Sequence, residues 1–494
     1  MSKISVTKRN NAPKINRNIY GHFSEHLGHC IYEGIFVGKD SPIPNTDGIR
    51  NDVIEALKKL EVPVLRWPGG CFADEYHWRD GVGEKRRRMV NTNWGGVVED
   101  NSFGTHEFME LCRLIGCEPY VNANVGSGTV REMAEWVEYL NSDSDSDTVQ
   151  ERWRNGSKEP FNVKYWGIGN ENWGGGGNMR PEYYADVYRQ YQTFCRTYGD
   201  NRPYRIARGP SDDDAAWTEK LVEVAGRYME GLTLHSYTVP GPTWQDKGSA
   251  TEFDTERYYE TLRKAEAIDA RIAMHKAIIE KHERMARRRG EQPFHVDLIV
   301  DEWGCWHDVE PGTNPGFLYQ QNTMRDAMVA AVTFNIFNRH ADRVTMANIA
   351  QMVNVLQSVV LTEGEKMVLT PTYHVFDLYK AHQNAQLLDC AVFADNAAEG
   401  IKQVSASASV KDGVITVTVA NVDAENGTSF TLGLDGLEAK EITGRILEGD
   451  MKALNTFEKP DEVTVKPFTA FEKAEGGLRV TLPRCAVVEL TIRG

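Results

Sequence analysis

Residues 165–171 of the chain are Tyr-Trp-Gly-Ile-Gly-Asn-Glu, a short apolar strand that leads directly to a glutamate. Residues 298–303, Leu-Ile-Val-Asp-Glu-Trp, repeat that arrangement, because an apolar run again delivers a glutamate. These segments are the fourth and seventh of eight strand candidates that alternate with amphipathic helical stretches between residue 18 and about residue 370. Eight repeated strand–helix units predict an α/β fold of the (β/α)8 barrel type.

The strands and helices of this predicted barrel follow two different hydrophobic patterns. Short apolar runs predict strands that end within residues 19–23, 64–67, 120–124, 165–169, 204–207, 232–237, 298–300 and 344–349. Apolar residues at three- and four-residue spacing predict helices over 52–60, 108–115, 131–140 and 183–198. The nearly apolar run 327–337 is shorter than the roughly 20 residues that cross a bilayer, so it predicts a buried helix.

After a helix-like segment at 373–385, the sequence changes to short runs of alternating residues separated by turns. Val410-Lys-Asp-Gly-Val414 is typical of a hairpin turn, residues 414–419 alternate apolar side chains with threonine, and residues 487–492 resemble a final strand. We therefore predict a barrel over 18–385 and a jelly-roll-like β-sandwich over 386–494. Residues 1–17 are expected to add a strand to the sandwich.

The composition narrows the classes of partner. Of the 494 residues, 41% are hydrophobic and 10% are aromatic, as in a folded globular protein with enough aromatic side chains to line a sugar site. The formal net charge of -15 disfavours a nucleic acid or an anionic membrane as partner, because the long-range field repels both. A neutral substrate fits this charge better.

The start of the chain and its cysteines bear on location. Residues 1–10 are polar and lack the apolar stretch of a secretory signal, so we expect a soluble cytoplasmic protein. The eight cysteines are spread widely through a large chain, unlike those of a small disulfide scaffold, so we expect mostly reduced thiols. Cys112 and Cys117 have no second close pair and no nearby histidine cluster, so we predict no zinc site there.

The two glutamates at strand ends are the candidate chemical groups. Catalytic residues of such barrels lie at the C-terminal ends of the strands, where separate strands converge. Retaining hydrolysis of a glycoside needs two carboxyl groups about 5–5.5 Å apart, one protonated to assist the leaving oxygen and one ionised to attack. Glu171 and Glu302 are placed to form such a pair. The amide of Asn170, directly before Glu171, can hydrogen-bond the 2-hydroxyl of a sugar.

Six motifs follow one another along the chain. They are Tyr20-Gly-His-Phe-Ser-Glu25-His-Leu-Gly, Leu65-Arg66-Trp-Pro-Gly-Gly-Cys71-Phe, Asn91-Thr-Asn-Trp94-Gly-Gly, Gly167-Ile-Gly-Asn170-Glu171-Asn-Trp, Leu234-His235-Ser-Tyr237 and Asp301-Glu302-Trp303. In this order they closely resemble the intracellular α-L-arabinofuranosidases of glycoside hydrolase family 51, over essentially the whole chain. The resemblance implies a (β/α)8 barrel with a β-sandwich, retaining chemistry without a metal or other cofactor, and commonly a hexamer.

The resemblance also implies roles for individual residues. Glu171 would be the acid/base and Glu302 the nucleophile. The substrate-binding set would comprise Glu25, Cys71, Trp94, Asn170, His235, Tyr237, Trp303 and Gln351. In that set Trp94 and Trp303 would shape the pocket. Arg66 and Tyr237 would hold Glu302 ionised by charge and hydrogen bonding, while a less polar setting would favour the protonated form of Glu171.

The resulting expectation is a retaining, exo-acting α-L-arabinofuranosidase that acts on oligosaccharides derived from arabinan or arabinoxylan. Two alternatives stay open. An endo-β-1,4-glucanase or xylanase could use the same scaffold, because fold and carboxylates do not fix the sugar. A non-catalytic carbohydrate-binding protein could use the sandwich and the aromatic residues, but it would turn over no aryl glycoside.

Overall fold

The structure is a computed structural model that describes residues 2–437 and 439–494. Its larger unit is a closed barrel of eight parallel strands, which confirms the predicted (β/α)8 fold. In chain order the strands are Gly21–Phe23, Val64–Trp67, Glu118–Ala123, Tyr165–Ile168, Tyr204–Ala207, Gly231–Thr238, Asp297–Cys305 and Val344–Ala350. Each strand pairs with its neighbours in sequence, and the eighth closes on the first where Ala350 lies opposite Phe23.

Helices connect the strands and cover the barrel. They are α1 (Asn51–Leu60), α2 (Thr105–Ile115), α3 (Val130–Asn141), α4 (Asp147–Arg154), α5 (Pro181–Phe194), α6 (Ala215–Ala225), α7 (Thr255–Arg288), α8 (Met324–Arg339) and α9 (Pro371–Tyr379). Two predicted helices are too long. The helix predicted over 183–198 ends at Phe194, and a tight turn between Tyr198 and Asn201 follows a short irregular segment. The segment predicted at 373–385 is helical only to Tyr379, followed by the short 3-10 turn Lys380–His382.

The helix α8 lies between the barrel and the C-terminal sheet, and every residue from Met324 to Asn338 is buried. Its polar side chains find partners across that boundary. The Asn335 and Asn338 amides donate to the hydroxyls of Ser405 and Ser407 at 3.1 Å and 3.0 Å, so burial leaves these donors satisfied. The buried helix predicted at 327–337 is thereby confirmed. Among the described residues, no helix is both long and apolar enough to cross a bilayer.

The second unit is a β-sheet folded over its own apolar core. Its strands are Ser2–Thr7, Gln386–Phe393, Val404–Lys411, Val414–Asn421, Thr428–Asp435, Glu441–Glu448, Lys466–Pro467, Phe471–Ala474, Gly477–Leu482 and Ala486–Arg493. The strand Gln386–Phe393 pairs first with Val404–Lys411 and then with Ser2–Thr7, so it connects the two halves of the sheet. Phe430 of one half and Val417 of the other belong to one buried apolar cluster, as in a sandwich.

Two local features of this sheet are a hairpin turn and the position of the start of the chain. Asp412 and Gly413 join adjacent antiparallel strands, and both have positive φ, 51° and 80°, as the tight hairpin turns of antiparallel strands require. The strand Ser2–Thr7 pairs with Gln386–Phe393, which places the start of the chain in the C-terminal sheet. The domain limits 1–17, 18–385 and 386–494 stay a prediction.

The barrel interior explains why a site lies at one end of the strands. Val64, Tyr120, Ile206, Ile299 and Met346 pack together inside the barrel, so this part is a filled core rather than a pore. At the C-terminal ends of the strands the inward side chains become polar and charged. Most of the candidate site residues lie in this layer or in the loops directly above it.

Candidate active site

The two predicted carboxylates come together above the barrel. Glu171 follows the fourth strand by three residues, and Glu302 lies within the seventh. One carboxylate oxygen of Glu171, one of Glu302 and a ring nitrogen of His235 all lie within 4.8 Å of one another. Retaining glycosidases hold their two carboxyl groups about 5–5.5 Å apart, whereas inverting enzymes separate them by about 6.5–9.5 Å to admit a water. The close pair therefore fits retention.

Glu302 is surrounded by donors. Arg66 Nη1 donates to Glu302 Oε1 at 2.8 Å, and the Tyr237 hydroxyl donates to Glu302 Oε2 at 2.7 Å. Burial, together with the charge of Glu302, raises the pKa of Tyr237 well above its ordinary value, so the phenol keeps its proton. A carboxylate that accepts bonds from a guanidinium and a phenol is stabilised in its ionised form. This is the state that a nucleophile requires.

Glu171 has a different environment. Its side chain is 20% exposed, against 7% for Glu302, and its Oε1 lies 2.8 Å from Nδ1 of His235. Burial alone would lower the pKa of His235, but Glu302, Asp301 and Glu171 outweigh it and raise that pKa to about 10. His235 is therefore an imidazolium near neutral pH, and its Nδ1–H donates to Glu171. The two carboxyl groups thus have different partners, which suits different roles.

Glu25, which follows the first barrel strand, accepts hydrogen bonds from groups that follow the second and eighth strands. Its Oε1 accepts from the Phe72 amide and from Trp94 Nε1, both at 3.0 Å. Its Oε2 accepts from Gln351 Nε2, also at 3.0 Å. Burial, with a contribution from Glu302, raises the pKa of Glu25 to about 7 although these donors oppose the shift. Glu25 is therefore able to present either a hydroxyl or a lone pair to a bound sugar near neutral pH.

Asn170 and Cys71 add further polar groups to the same space. Asn170 Oδ1 accepts from Arg66 Nη2 at 2.6 Å, while its buried Nδ2 has no partner in the part of the chain that the structure describes. A buried amide donor without a partner is costly unless a ligand or a water satisfies it. Burial, followed by the charges of Glu171 and Glu25, raises the pKa of the Cys71 thiol far above its ordinary range. Cys71 is therefore a neutral S–H donor.

These side chains line one pocket. The residues around it are Glu25, Leu27, Gly70, Cys71, Trp94, Asn170, Glu171, Tyr237, Glu302, Trp306, Leu318, Gln351 and Leu356. Seven of the eight residues assigned to substrate binding thus lie in the pocket or, in the case of His235, against its carboxylates. Gly70 permits the tight fit, because a Cβ there would lie 3.1 Å from Glu302 Oε1.

Trp303 is the predicted site residue that the structure places elsewhere. Its side chain is 1% exposed and packs against Phe334, Phe337 and Phe376, on the side of the seventh strand that faces the helices. Adjacent residues of a strand point to opposite faces, so the residue after an inward Glu302 points outward. Trp306, three residues further on, lines the pocket instead and meets Tyr237 edge-to-face with ring centres 5.0 Å apart.

Asp301 is a buried site residue that the sequence reasoning missed. Its Oδ2 accepts from Tyr120 at 2.9 Å and from Arg208 and lies 3.3 Å from Arg66 Nε, while its Oδ1 lies 3.2 Å from His235 Nε2. Strict alternation along the strand would point Asp301 away from Glu302. The pairing register shifts between residues 300 and 303, and this irregularity turns both carboxylates toward the site.

Asp74 is a second missed carboxylate, and it fixes the loop that carries Glu171. Its Oδ1 accepts from the amides of Val125 and Gly126, each at 2.8 Å, and its Oδ2 accepts from the Asn170 amide at 3.0 Å. A Cβ on Gly176 would lie 2.3 Å from the same Oδ2, so the glycine run 174–177 contains one position that admits no side chain. No local sequence pattern signals Asp74, because its partners lie 50 to 100 residues away.

Two family models match the chain. Residues 56–239 match the α-L-arabinofuranosidase 1 domain, and residues 301–486 match the α-L-arabinofuranosidase C-terminal domain. Glu171 lies within the first match and Glu302 within the second. Both candidate catalytic residues therefore fall in segments that the models describe.

Individual relatives agree with these matches. An intracellular exo-α-L-arabinofuranosidase of Bacteroides ovatus is 50% identical over 488 residues, which covers 97% of this chain and 93% of the relative. The crystal structure of the family 51 arabinofuranosidase from Xanthomonas axonopodis pv. citri superposes with a TM-score of 0.95 at 46% identity, covering all of both chains. The arabinose complex of the Thermotoga maritima α-L-arabinofuranosidase gives a TM-score of 0.86 at 31% identity, again over both whole chains.

Proposed function

Because the chain belongs to the α-L-arabinofuranosidases of glycoside hydrolase family 51, we propose that it hydrolyses terminal α-L-arabinofuranosides with retention of configuration. Glu302 is the nucleophile and Glu171 is the general acid/base in this proposal. The observation that carries it is the approach of the two carboxylates, within 4.8 Å, in unequal surroundings. Glu302 is held by Arg66 and Tyr237, and the more exposed Glu171 lies beside His235.

In the first step Glu302 attacks the anomeric carbon while Glu171 gives its proton to the departing glycosidic oxygen. The bond between the anomeric carbon and that oxygen breaks, and a covalent furanosyl-enzyme forms. Arg66 and Tyr237 orient Glu302 for this attack through its two oxygens. In the second step the Glu171 carboxylate removes a proton from water, whose oxygen displaces Glu302. Two inversions restore the original configuration.

The proposed sugar contacts encircle one ring. Glu25, Cys71, Asn170, Tyr237 and Gln351 follow different barrel strands and contribute a carboxyl, a thiol, two amides and a phenol to the pocket. Such a ring of polar groups suits a single terminal furanose better than the interior of a polymer, so exo action is proposed. The Bacteroides ovatus relative is described as an exo-acting enzyme, which supports this mode.

We also propose a natural substrate, a cellular location and an assembly. We infer arabinan- or arabinoxylan-derived oligosaccharides as substrates, because polymers are normally shortened before uptake and the Bacteroides ovatus relative is described as intracellular. A cytoplasmic location is proposed on the same ground. A homo-oligomer, a hexamer by family resemblance, is proposed for the assembly, and sedimentation velocity would measure its mass.

The sugar is tested with aryl α-L-arabinofuranoside, β-D-xyloside and β-D-glucoside side by side, with Glu302→Gln as the control for contaminating activity. Turnover of the arabinofuranoside alone is expected. The mode of action is tested by viscosity during digestion of arabinoxylan. Free arabinose from the first minutes with little loss of viscosity is expected, whereas an early, steep loss of viscosity with oligosaccharide products would favour an endo-glucanase or endo-xylanase.

A further inference from the structure

Asp301 is a fully enclosed charge below the two catalytic glutamates. Its side chain is fully buried, and the guanidinium groups of Arg66 and Arg208 flank it together with the Tyr120 hydroxyl. Burial alone would raise the pKa of Asp301, but the two arginines hold it well below its ordinary range. Asp301 is therefore ionised near neutral pH, and it does not line the pocket that receives the sugar.

Two groups join Asp301 to the reacting carboxyls: Arg66 contacts Glu302, and His235 contacts both glutamates. Nε2 of the imidazole lies 3.2 Å from Asp301 Oδ1, and Nδ1 lies 2.8 Å from Glu171 Oε1 and 3.5 Å from Glu302 Oε2. The ring thus has a carboxylate on each side. An imidazole between two carboxylates is favoured in its doubly protonated, cationic form, because a negative charge then lies close to each nitrogen.

We propose that Asp301 is a positioning residue for the hydrolysis: through Nε2 it keeps His235 an oriented imidazolium, whose Nδ1–H serves the Glu171 carboxylate. This inference rests on the proposed roles of Glu171 and Glu302. When Glu171 gives its proton to the leaving oxygen, it becomes an anion, while Glu302 loses its charge to the covalent bond with the sugar. The imidazolium compensates that charge and keeps its own proton. Glu171 regains a proton from water in the second step, so no proton leaves His235 during the cycle.

Other charged groups also face His235. The charged and titratable groups around the ring are Glu171 after the fourth strand, Asp212 after the fifth, and Asp301 and Glu302 on the seventh, with Arg66 and Arg208 reached through Asp301. Asp212 is largely neutralised by Arg271, 3.0 Å away. Asp301 is the fixed anion in contact with Nε2. Its removal also leaves two arginines uncompensated, which disfavours a cationic His235 further.

The test is the titration of His235 by NMR, with the histidine ring nitrogens labelled and the signal of His235 identified by its loss in His235→Asn. In the wild-type enzyme the ring is expected to stay protonated through pH 8. In Asp301→Asn it should titrate near the ordinary imidazole pKa of about 6.5. Tyr120→Phe is the matched control, because it removes a neutral donor to Asp301 and keeps the charge. His235 should stay protonated in that variant.

The kinetic readout is the pH profile of kcat on an aryl arabinofuranoside. Asp301→Asn should show an additional ionisation near pH 6.5, above which kcat falls, and Tyr120→Phe should not. Loss of kcat by the same factor at every pH, without a new ionisation, would mean that Asp301 only holds the fold and would overturn the proposal. If Asp301→Asn does not fold, the wild-type titration decides alone: a neutral His235 at pH 7 contradicts the proposal. That titration needs no substrate, so its failure is distinct from a failure of the proposed activity.

Discussion

The Tyr237 hydroxyl lies 2.7 Å from Glu302 Oε2 and donates a hydrogen bond to it from the neighbouring barrel strand. This bond orients the oxygen that is not held by Arg66. Because the acceptor is a charged group, its loss costs about 1.5–3 kcal/mol. Tyr237→Phe should therefore lower kcat/KM roughly 10- to 100-fold. Tyr183→Phe, on the exposed face of α5, is the control and should change kcat/KM by less than a factor of about two. A Tyr237→Phe enzyme as active as the control would show that this bond does not support the attack.

Cys71 should be the thiol through which reagents inhibit the enzyme. It lines the pocket, and its raised pKa means that iodoacetamide, which needs the thiolate, should react slowly at pH 7 and faster at high pH. Mercurials should inhibit, arabinose should protect, and Cys71→Ala should be resistant. Cys117→Ala, which changes another partly exposed cysteine, should stay sensitive. Unchanged sensitivity of Cys71→Ala would assign the inhibition to another thiol.

Glu25 should make stability depend on pH in the opposite sense to most carboxylates. Its pKa is about 7 in the folded protein against 4.5 ordinarily, so folding takes up a proton. The stabilisation is complete below pH 4.5 and is lost as the pH rises through 7, by up to about 3 kcal/mol. The Tm of Glu25→Gln relative to wild type should therefore rise between pH 4.5 and 7.5. Glu33→Gln, an exposed acid of the same loop, should show no such trend. A Tm difference independent of pH would contradict the shift.

The glycine run after Glu171 offers a matched pair of substitutions. A Cβ at Gly176 would lie 2.3 Å from Asp74 Oδ2, whereas a Cβ at Gly175 would make an ordinary 3.5 Å contact with Cys71 Sγ. Gly176→Ala should displace Asp74 from the Asn170 amide, lower Tm and reduce kcat at least tenfold. Gly175→Ala should leave Tm nearly unchanged and keep kcat within about a factor of two. Equal behaviour of the two variants would mean that the loop yields without disturbing Glu171.

Much of the barrel is predictable from sequence because its strands are short apolar runs between clear breaks. Glu171 and Glu302 are predictable because each directly continues such a run, at the end of the barrel where catalytic groups collect. The helix α7 escaped prediction, since charged residues interrupt its apolar positions along all 34 residues. Its buried side chains are determined by contacts with other helices, which local periodicity does not report.

The positions of the other site residues cannot be predicted from the simple alternation of side chains along a strand. Asp301 and Glu302 both turn toward the site because the register shifts there, so counting along the strand misplaces Asp301. Trp303 belongs to the sequence motif that contains Glu302, but its side chain does not line the pocket. Trp306, which lies just beyond the end of the strand, lines the pocket instead. Asp74 acts on Asn170 from 96 residues away, and no spacing rule joins them.

The division of roles between Glu171 and Glu302 is tested most directly by azide rescue of the two alanine variants on an activated aryl α-L-arabinofuranoside, with NMR of the product. Glu171→Ala should form the furanosyl-enzyme, because a good leaving group needs little protonation, and azide should restore turnover and yield the α-arabinofuranosyl azide of retained configuration. Glu302→Ala should form no covalent intermediate, and any azide product should be the inverted β-anomer. A retained azide from Glu302→Ala, with no rescue of Glu171→Ala, would contradict these roles.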